Sequence, residues 1–188
     1  MKKLLTIVGA CALAACAHSP LQIQVRPQVQ VAPDNIGAGR TISVQGVNKL
    51  PGGGLGSLGG IYSNSSQVRL ANNVEDAMAT SLRDGFTSWN FRPVDGNAQV
   101  QVTANLTGLS YNSPNTLVTS KVDTTAEVQL AVKIGGATYY GNYRSKGRDR
   151  NLINPNKDEV ESRVNNLLSV TLQRAFADEK LKNFLRTH

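Results

Sequence analysis

Cys16 is the residue whose type and position indicate the most specific chemistry in this chain. It directly follows Leu13-Ala14-Ala15, which ends an apolar stretch, and it precedes a polar segment. A cysteine after small residues at the end of such a stretch is typical of a bacterial lipobox, where a lipid is joined to the cysteine sulfur as a thioether and the preceding residues are removed. The sequence therefore predicts lipidation at Cys16 and a signal peptide over residues 1–15.

The segment before Cys16 has the layout of a signal peptide. Lys2 and Lys3 give it a positive start, and Leu4 to Ala15 form an apolar run of twelve residues without charge. That run is too short to cross a hydrocarbon core, which needs about 20 residues in a helix. The alternative is an ordinary secretory signal, in which Cys16 would be an incidental thiol.

Processing before Cys16 would leave 173 of the 188 residues, enough for one domain with a sizeable core. The formal net charge would fall from +7 to +5, because Lys2 and Lys3 leave with the signal. Lipid attachment implies a compartment outside the cytoplasm, so we expect no nucleic-acid partner. Ala17 stands where an Asp often retains bacterial lipoproteins in the inner membrane, which favours the periplasmic face of the outer membrane.

Side chains of the common catalytic kinds are scarce in the predicted mature chain. Cys11 would leave with the signal peptide and Cys16 would be acylated, so we expect no disulfide, zinc site or thiol nucleophile. The two histidines, His18 and His188, lie beside the anchor and at the end of the sequence, which argues against a Ser-His triad or a His-based metal site. A less favoured alternative is a carboxylate pair acting on sugars, drawn from Asp84, Asp95, Asp123 and Glu127. We therefore predict a non-enzyme without a cofactor or a metal.

Four basic side chains recur every second residue near the end of a predicted strand: Arg144, Lys146, Arg148 and Arg150. With that spacing they share one face of the strand. One hypothesis is a basic stripe that grips an anionic envelope polymer or a lipid headgroup. The other is a solvated face, in which carboxylates of the neighbouring strand pair with these charges.

Gly135-Gly136 determines how these charges would be paired. Two glycines between alternating segments predict a two-residue hairpin turn, since both positions can take positive φ. Partners across such a hairpin have residue numbers that sum to 271. The register predicts two charge pairs on the outer face and two pairs on the core face: Glu127 with Arg144, Asp123 with Arg148, Tyr139 with Val132, and Tyr143 with Val128.

Alternation of apolar and polar residues predicts the strands. Residues 21–31 alternate throughout, and Pro27 favours a sheet edge because it has no N–H to donate; the alternative is an extended tether. Further strands are predicted over 40–47, 98–107 and 126–134.

Two amphipathic helices are predicted between and after these strands. The first begins near Asn72 or Asn73 and breaks at Gly85, and the second begins at Asn156, where Glu159 completes a variant of the capping box. The elements predict an α+β fold: a two-layer domain whose mostly antiparallel sheet, a meander with the Gly135-Gly136 hairpin, is covered by the two helices. The predicted divisions are a lipidated N terminus with an edge strand or tether at 16–39, and a single domain at 40–188.

The stretch from residue 51 to residue 60 is rich in glycine and is predicted to be a mobile loop. It contains Gly54-x-Gly56-x-x-Gly59, the spacing of a dinucleotide-binding fingerprint. That fingerprint works only where a helix follows, so that helix N–H groups meet the pyrophosphate. The residues that follow, Ile61 to Ser66, do not resemble a helix start, so nucleotide binding is not expected.

The layout of the chain resembles the YajG family of bacterial lipoproteins. The resemblance rests on the lipobox, the string Leu-Gln-Ile-Gln-Val-Arg-Pro-Gln-Val that follows it, and the order of helix, meander and C-terminal helix. The Asp178-Glu179-Lys180 break before Phe184-Leu185 adds to it, whereas the Gly-rich stretch at 52–60 is a departure. The resemblance implies an outer-membrane lipoprotein of unassigned biochemical role, and it supplies no catalytic residues.

These observations favour a lipid-anchored, non-catalytic binding or adaptor module facing the periplasm. The alternative is a module that binds an anionic envelope polymer or lipid through the 144–150 stripe, and a glycosidase-like enzyme acting on the wall is less favoured. The expected partners are the membrane, through the anchor at Cys16, and envelope proteins or peptidoglycan.

Overall fold

The computed structural model describes residues 20–52, 54–59, 66–113, 120–151 and 155–188, so Cys16 and the predicted signal peptide lie outside the described residues. Within these ranges the backbone forms eight strands and three helices. The strands are β1 (Leu21–Ile23), β2 (Thr41–Asn48), β3 (Gly54–Ser57), β4 (Gln67–Leu70), β5 (Arg92–Pro93), β6 (Val100–Asn112), β7 (Ser120–Ile134) and β8 (Ala137–Asn151). The helices are α1 (Val74–Ser88), α2 (Lys157–Phe176) and α3 (Glu179–Thr187).

All eight strands belong to one mixed sheet. Its longest ladder is the antiparallel meander β6-β7-β8, which alternation predicted. The other edge of β6 pairs in parallel, first with β2 and then, near its end, with β3. Beyond β3 lie β4 and then the edge strand β1, and β5 lies beyond β2. The α+β prediction is confirmed, with parallel neighbours that the sequence pattern did not indicate.

The β7–β8 hairpin has the predicted register. All four predicted pairs are present: Glu127 with Arg144, Asp123 with Arg148, Tyr139 with Val132, and Tyr143 with Val128. Of the two turn glycines, Gly135 adopts a positive φ of 55°, which a side chain would disfavour, whereas Gly136 does not. The turn therefore fixes which residues face the core and which face solvent.

The helices α1 and α2 cover the sheet and meet each other through aromatic rings. The ring of Phe176 lies 5.1 Å from that of Phe86 and 5.0 Å from that of Trp89. The predicted break at Gly85 is wrong, because α1 continues through it to Ser88. A Cβ at Gly85 would lie 2.3 Å from Cζ of Phe176, so the glycine allows the two helices to approach closely.

The beginning of α2 is as predicted. Asn156 is the N-cap and forms a complete capping box with Glu159, in which each side chain bonds the other's backbone N–H. The apolar stripe beyond Phe176 belongs to a separate helix, α3, with Asp178 as its N-cap. Leu181 and Leu185 bury the inner face of α3, so three helices rather than two cover the sheet.

The Gly-rich stretch contains a strand rather than only a mobile loop. Gly54–Ser57 form β3, which pairs with β4 on one side and β6 on the other. Leu55 is 3% exposed, and Gly56 has a φ of 136°, with its α-carbon so close to β6 that a Cβ would lie 2.0 Å from the carbonyl oxygen of Tyr111. The prediction of a loop failed because these glycines meet a tertiary requirement, the close approach of two backbones.

Candidate binding surfaces

The segment that follows β1, residues 24–31, leaves the sheet and lies between α1 and α2; we call it the strap. Only Leu21–Ile23 of the predicted strand over 21–31 pair with another strand, β4. The alternation of the sequence persists in the strap, since Val25 and Pro27 are buried while their neighbours are exposed. The strap is therefore an extended segment with an inner apolar face, held by partners other than strands.

Side chains of α2 bind one edge of the strap. Four backbone N–H groups donate to side-chain oxygens: Gln24 to Glu161 Oε1 at 2.8 Å, Arg26 to Asn165 Oδ1 at 2.5 Å, Gln28 to Ser169 Oγ at 2.9 Å, and Gln30 to Gln173 Oε1 at 2.9 Å. Two of these partners also donate back from their amides, Asn165 to the carbonyl of Gln24 and Gln173 to the carbonyl of Gln30. The row replaces the backbone ladder that a neighbouring strand would provide.

The spacing of this row follows from the geometry of the two elements. The four partners on α2 recur every fourth residue, and the four strap donors recur every second residue. Four helical residues rise about 6.0 Å, and two extended residues rise about 6.6 Å. The two repeats therefore stay in register over the length of the strap.

The opposite edge of the strap faces α1 and is bonded at one residue. Asn72 accepts from the N–H of Val25 at 2.8 Å and donates to its carbonyl at 2.9 Å. Pro27 has no N–H, and the N–H of Val29 has no hydrogen-bond partner among the described residues. Beyond Asn72 the strap and α1 are separated by an open groove of about 580 Å³, whose α1 wall includes Asp76, Thr80, Ser81 and Asp84. We call this the strap–α1 groove.

Carboxylates pair with two residues of the basic stripe, as the solvated-face hypothesis predicted. Arg144 Nε lies 2.8 Å from Glu127 Oε1, and Arg148 Nε lies 2.8 Å from Asp123 Oδ1. Lys146 faces Thr125 across the hairpin. The side chain of Arg150 lies outside the described residues.

A polar cluster beneath the hairpin joins β8 to α3. The hydroxyls of Tyr139 and Tyr143 donate to Asp178 Oδ2 at 2.5 Å and 2.9 Å, and Asp178 Oδ1 accepts from the N–H of Lys180 at 2.9 Å. Burial raises the pKa of both tyrosine hydroxyls, and their hydrogen bonds to Asp178 add to the effect. Burial alone would raise the pKa of Asp178, but the hydrogen bonds that it accepts outweigh burial and lower it. The cluster keeps both tyrosines protonated, which suits a structural joint.

The four acidic residues proposed for sugar chemistry lie on three different parts of the fold. Asp123 and Glu127 share a strand face, but each is paired with its arginine. Asp84 lies on α1 and Asp95 in the loop after β5. Over the described ranges, no group of three or more acidic, histidine or cysteine side chains is arranged to hold a metal, and no helix is long and apolar enough to cross a membrane.

The sequence did not reveal the strap contacts. The sequence predicts a helix cap at Asn72 or Asn73. The N-cap is Asn73, which makes no side-chain cap bond, whereas the amide of Asn72 binds Val25. The polar residues at 161, 165, 169 and 173 of α2 do recur every fourth residue, and this spacing opposite an alternating segment is the signal that could have indicated the contact.

One solved structure of a known protein shares this fold. The chain is similar to a crystal structure of a Xanthomonas campestris protein of the DUF330 family, with 9% identity, a TM-score of 0.56, and coverage of 88% of this chain and 98% of that one. It matches less closely a crystal structure of an uncharacterized protein (11% identity, TM-score 0.41, covering 87% and 98%) and one of a hypothetical Chlamydia trachomatis protein (8% identity, TM-score 0.38, covering 80% and 100%). At these identities the first likeness shows the fold alone, and the other two carry no argument. No curated protein matches the sequence.

A family model gives a more specific result. The model, described as uncharacterized lipoprotein, matches residues 27–186. The match includes most of the strap, the whole of α1 and α2, and nearly all of the sheet. Because it spans most of the chain, this protein belongs to that family of uncharacterized lipoproteins.

Proposed function

We propose that this protein is a lipid-anchored, YajG-like module of the cell envelope that binds another envelope component without catalysis at the periplasmic face of the outer membrane. Its membership of a lipoprotein family and the Leu-Ala-Ala-Cys string support an anchor at Cys16. Ala17 after that cysteine favours the outer membrane. The ion pairs of Asp123 and Glu127 with arginines support a structural role for these two carboxylates.

The observation that carries this proposal is the way in which the strap enters the fold. Four residues lie between Cys16 and Leu21, so the anchor lies at most about 18 Å along the chain from β1. Directly after β1, the strap is bonded to α2 at four positions and to Asn72, just before α1, at one. A chain so fixed next to its lipid holds the domain close to the membrane, rather than letting it move on a long tether.

The same connection orients the domain. Leu21 pairs with Val68 of β4, Val68 pairs with Gly56 of β3, and Gly56 pairs with Tyr111 of β6. Leu21 therefore lies at the end of the sheet where β6 finishes at Asn112. The hairpin turn at Gly135 lies at the opposite end, because Ile134 pairs with Val100 at the beginning of β6. The anchored end is therefore nearest the membrane, and the hairpin turn projects into the periplasm.

Replacement of Cys16 by Ser tests the anchor. We expect the variant to lose incorporation of labelled palmitate and to leave the membrane fraction, because the acyl chains are the proposed apolar anchor. Cys11→Ser is the matched control, since that cysteine lies in the predicted signal peptide and should leave lipidation unchanged. The proposal would be contradicted if the parent incorporated no labelled palmitate and both variants remained in the membrane fraction.

Purification of the lipidated protein from membranes after chemical cross-linking tests the binding role. We expect a discrete envelope protein to be enriched with the parent at a constant ratio. Repeated recovery of the lipidated protein alone would contradict a role as an adaptor.

A second candidate function is binding of an anionic envelope polymer or lipid by the 144–150 stripe. It is favoured by the exposure of Arg144 and Arg148, which are 56% and 77% exposed despite their carboxylate partners, and by Lys146, which faces a threonine. If this function is right, Lys146→Ala with Arg148→Ala should weaken sedimentation with peptidoglycan or with phosphatidylglycerol vesicles, more at low salt than at high salt. Equal sedimentation of parent and variant would contradict it.

A further inference from the structure

We propose that the strap–α1 groove binds an extended, basic segment of a partner protein, which adds to the free edge of the strap as a strand. This inference rests on the proposed binding role and names the site and the chemistry of the partner. Three features of the groove carry it: a backbone edge with an unpaired N–H at Val29, a row of acceptors on α1, and a negative wall.

The backbone edge is the first feature. In an extended chain, successive residues direct their N–H and C=O groups to opposite sides, so residues 24, 26, 28 and 30 face α2 and the odd residues face α1. Val25 is bonded to Asn72, but the N–H of Val29 has no partner among the described residues. Val29 also lines the groove. An added strand would satisfy this edge, as in β-augmentation of sheet edges.

The α1 wall is the second feature. Asp76, Thr80 and Asp84 recur every fourth residue and line the groove. That is the spacing at which α2 binds the other edge of the strap, where a carboxylate, an amide and a hydroxyl accept backbone N–H groups. A peptide lying in the groove would thus have the strap on one side and a second helical row of acceptors on the other.

Charge is the third feature, and it selects the partner. Asp76 and Asp84 form no ion pair within the described residues. Of the described residues lining the groove, Arg26 carries the one positive charge, so the lining is net negative. Lysine or arginine side chains of an extended peptide would pair with the two carboxylates, whereas an anionic ligand would be repelled.

A buried hydroxyl gives independent support. Ser81 is 4% exposed, lines the same groove, and its Oγ has no hydrogen-bond partner in the described part of the chain. Buried hydroxyls are usually bonded, and Ser81 Oγ is a polar atom beside the groove whose hydrogen-bonding capacity no described residue uses. A small adjustment of the wall on peptide binding would let a peptide group bond this oxygen.

The test uses the full mature chain in detergent and a labelled peptide of alternating Lys and Val, with an alternating Glu and Val peptide as the matched probe. We expect saturable fluorescence anisotropy with the Lys peptide and none with the Glu peptide. In amide NMR spectra, the shifts should be confined to the strap and α1, including Val29 and Thr80. Shifts confined to the hairpin face around Glu127, or equal binding of the two peptides, would overturn the proposal.

Two variants distinguish how the charge of the groove and its shape contribute to peptide binding. Asp76→Asn with Asp84→Asn should weaken binding of the Lys peptide about tenfold or more, equivalent to about 1.4 kcal/mol. Ala77→Trp should weaken it by filling the groove without changing charge. The control is Asp95→Asn with Asp158→Asn, which removes two exposed carboxylates outside the groove and should leave binding unchanged. An equal effect of the control pair, or no effect of the groove variants, would overturn the proposal.

The same variants distinguish this inference from the broader binding role. If an envelope protein co-purifies equally with the parent and with the Asp76→Asn/Asp84→Asn variant, the groove is not its site, and the proposed function stands without this inference. If neither form recovers a partner, both are overturned. Self-association of the parent that Ala77→Trp abolishes, without peptide binding, would show that a second copy fills the groove and would overturn the peptide proposal.

Discussion

The side-chain amide of Asn72 makes both of its backbone hydrogen bonds to a single residue, Val25, accepting from its N–H at 2.8 Å and donating to its carbonyl at 2.9 Å. Val25 is fully buried, and this amide fixes the strap to the beginning of α1. An asparagine in this position acts as a short substitute for a neighbouring strand.

Asn72→Ala should therefore lower the free energy of unfolding by about 1–3 kcal/mol, because it leaves a buried N–H and a buried carbonyl unpaired. Urea unfolding measures the change. Asn73→Ala is the matched control: this neighbouring residue makes no side-chain cap bond, and its amide donates only to the exposed Asp76 Oδ2 at 3.2 Å, so its loss should cost about 0.5 kcal/mol or less. Equal destabilisation by the two variants would contradict the role assigned to Asn72.

The contact between Gly85 and Phe176 predicts that substitutions at the two residues have non-additive effects on the free energy of unfolding. Gly85→Ala should destabilise the protein by about 1–3 kcal/mol through overpacking, because the new Cβ would meet the Phe176 ring. The higher helix propensity of alanine should offset about 1 kcal/mol of this cost. In a Phe176→Leu background the same change should be less costly. A double-mutant cycle on chemical unfolding tests this, and additive effects would contradict direct contact.

Alanine substitutions at Gly56 and Gly52 test whether this stretch forms the strand β3 or a free loop. Gly56→Ala should cost about 3 kcal/mol or more, since its Cβ would overlap the carbonyl of Tyr111 at a φ of 136°. Gly52→Ala, at a φ of 79° with nothing within 4 Å, should cost about 1 kcal/mol of backbone strain. Thermal unfolding compares them. If both variants unfold at the temperature of the parent, the stretch is a loop, as the sequence alone suggested.

Features of the fold that depend on residues close together in the chain could be predicted from the sequence. The hairpin register and the α2 capping box follow from residues close together in the chain, Gly135-Gly136 and Asn156 with Glu159, and both were predicted. The strap was not, because alternation specifies an extended chain with one buried face but not whether strands or helix side chains bind its edges. The roles of Gly56 and Gly85 could not be predicted, because each glycine allows a close approach to a residue distant in sequence.

The tyrosine–aspartate cluster predicts a pH dependence of stability on the alkaline side. The raised pKa values of Tyr139 and Tyr143 mean that folding favours their protonated forms. The resulting stabilisation is complete below the ordinary tyrosine pKa of about 10 and is lost as the pH rises above it. Tyr139→Phe with Tyr143→Phe should flatten this alkaline decline in the free energy of unfolding.

Tyr140→Phe is the matched control for that experiment, because Tyr140 lies on the same strand and is 66% exposed. It should leave the alkaline decline as steep as in the parent. On the acid side, the lowered pKa of Asp178 contributes stability above the ordinary aspartate pKa of about 3.9, which is lost as the pH falls below it. Asp178→Asn should remove that acid-side contribution.

Residue-resolved amide hydrogen exchange by NMR examines the strap itself, on which both the membrane proximity of the domain and the open groove depend. The hydrogen bonds to α2 predict slow exchange at Arg26, Gln28 and Gln30, and the unpaired edge predicts fast exchange at Val29 between them. The contrast between Val29 and its two neighbours should persist in the lipidated protein, and Val25 should exchange slowly because its N–H is bonded to Asn72. Uniformly fast exchange across residues 24–31 would mean that the strap is a free tether, and uniformly slow exchange would mean that its second edge is already paired.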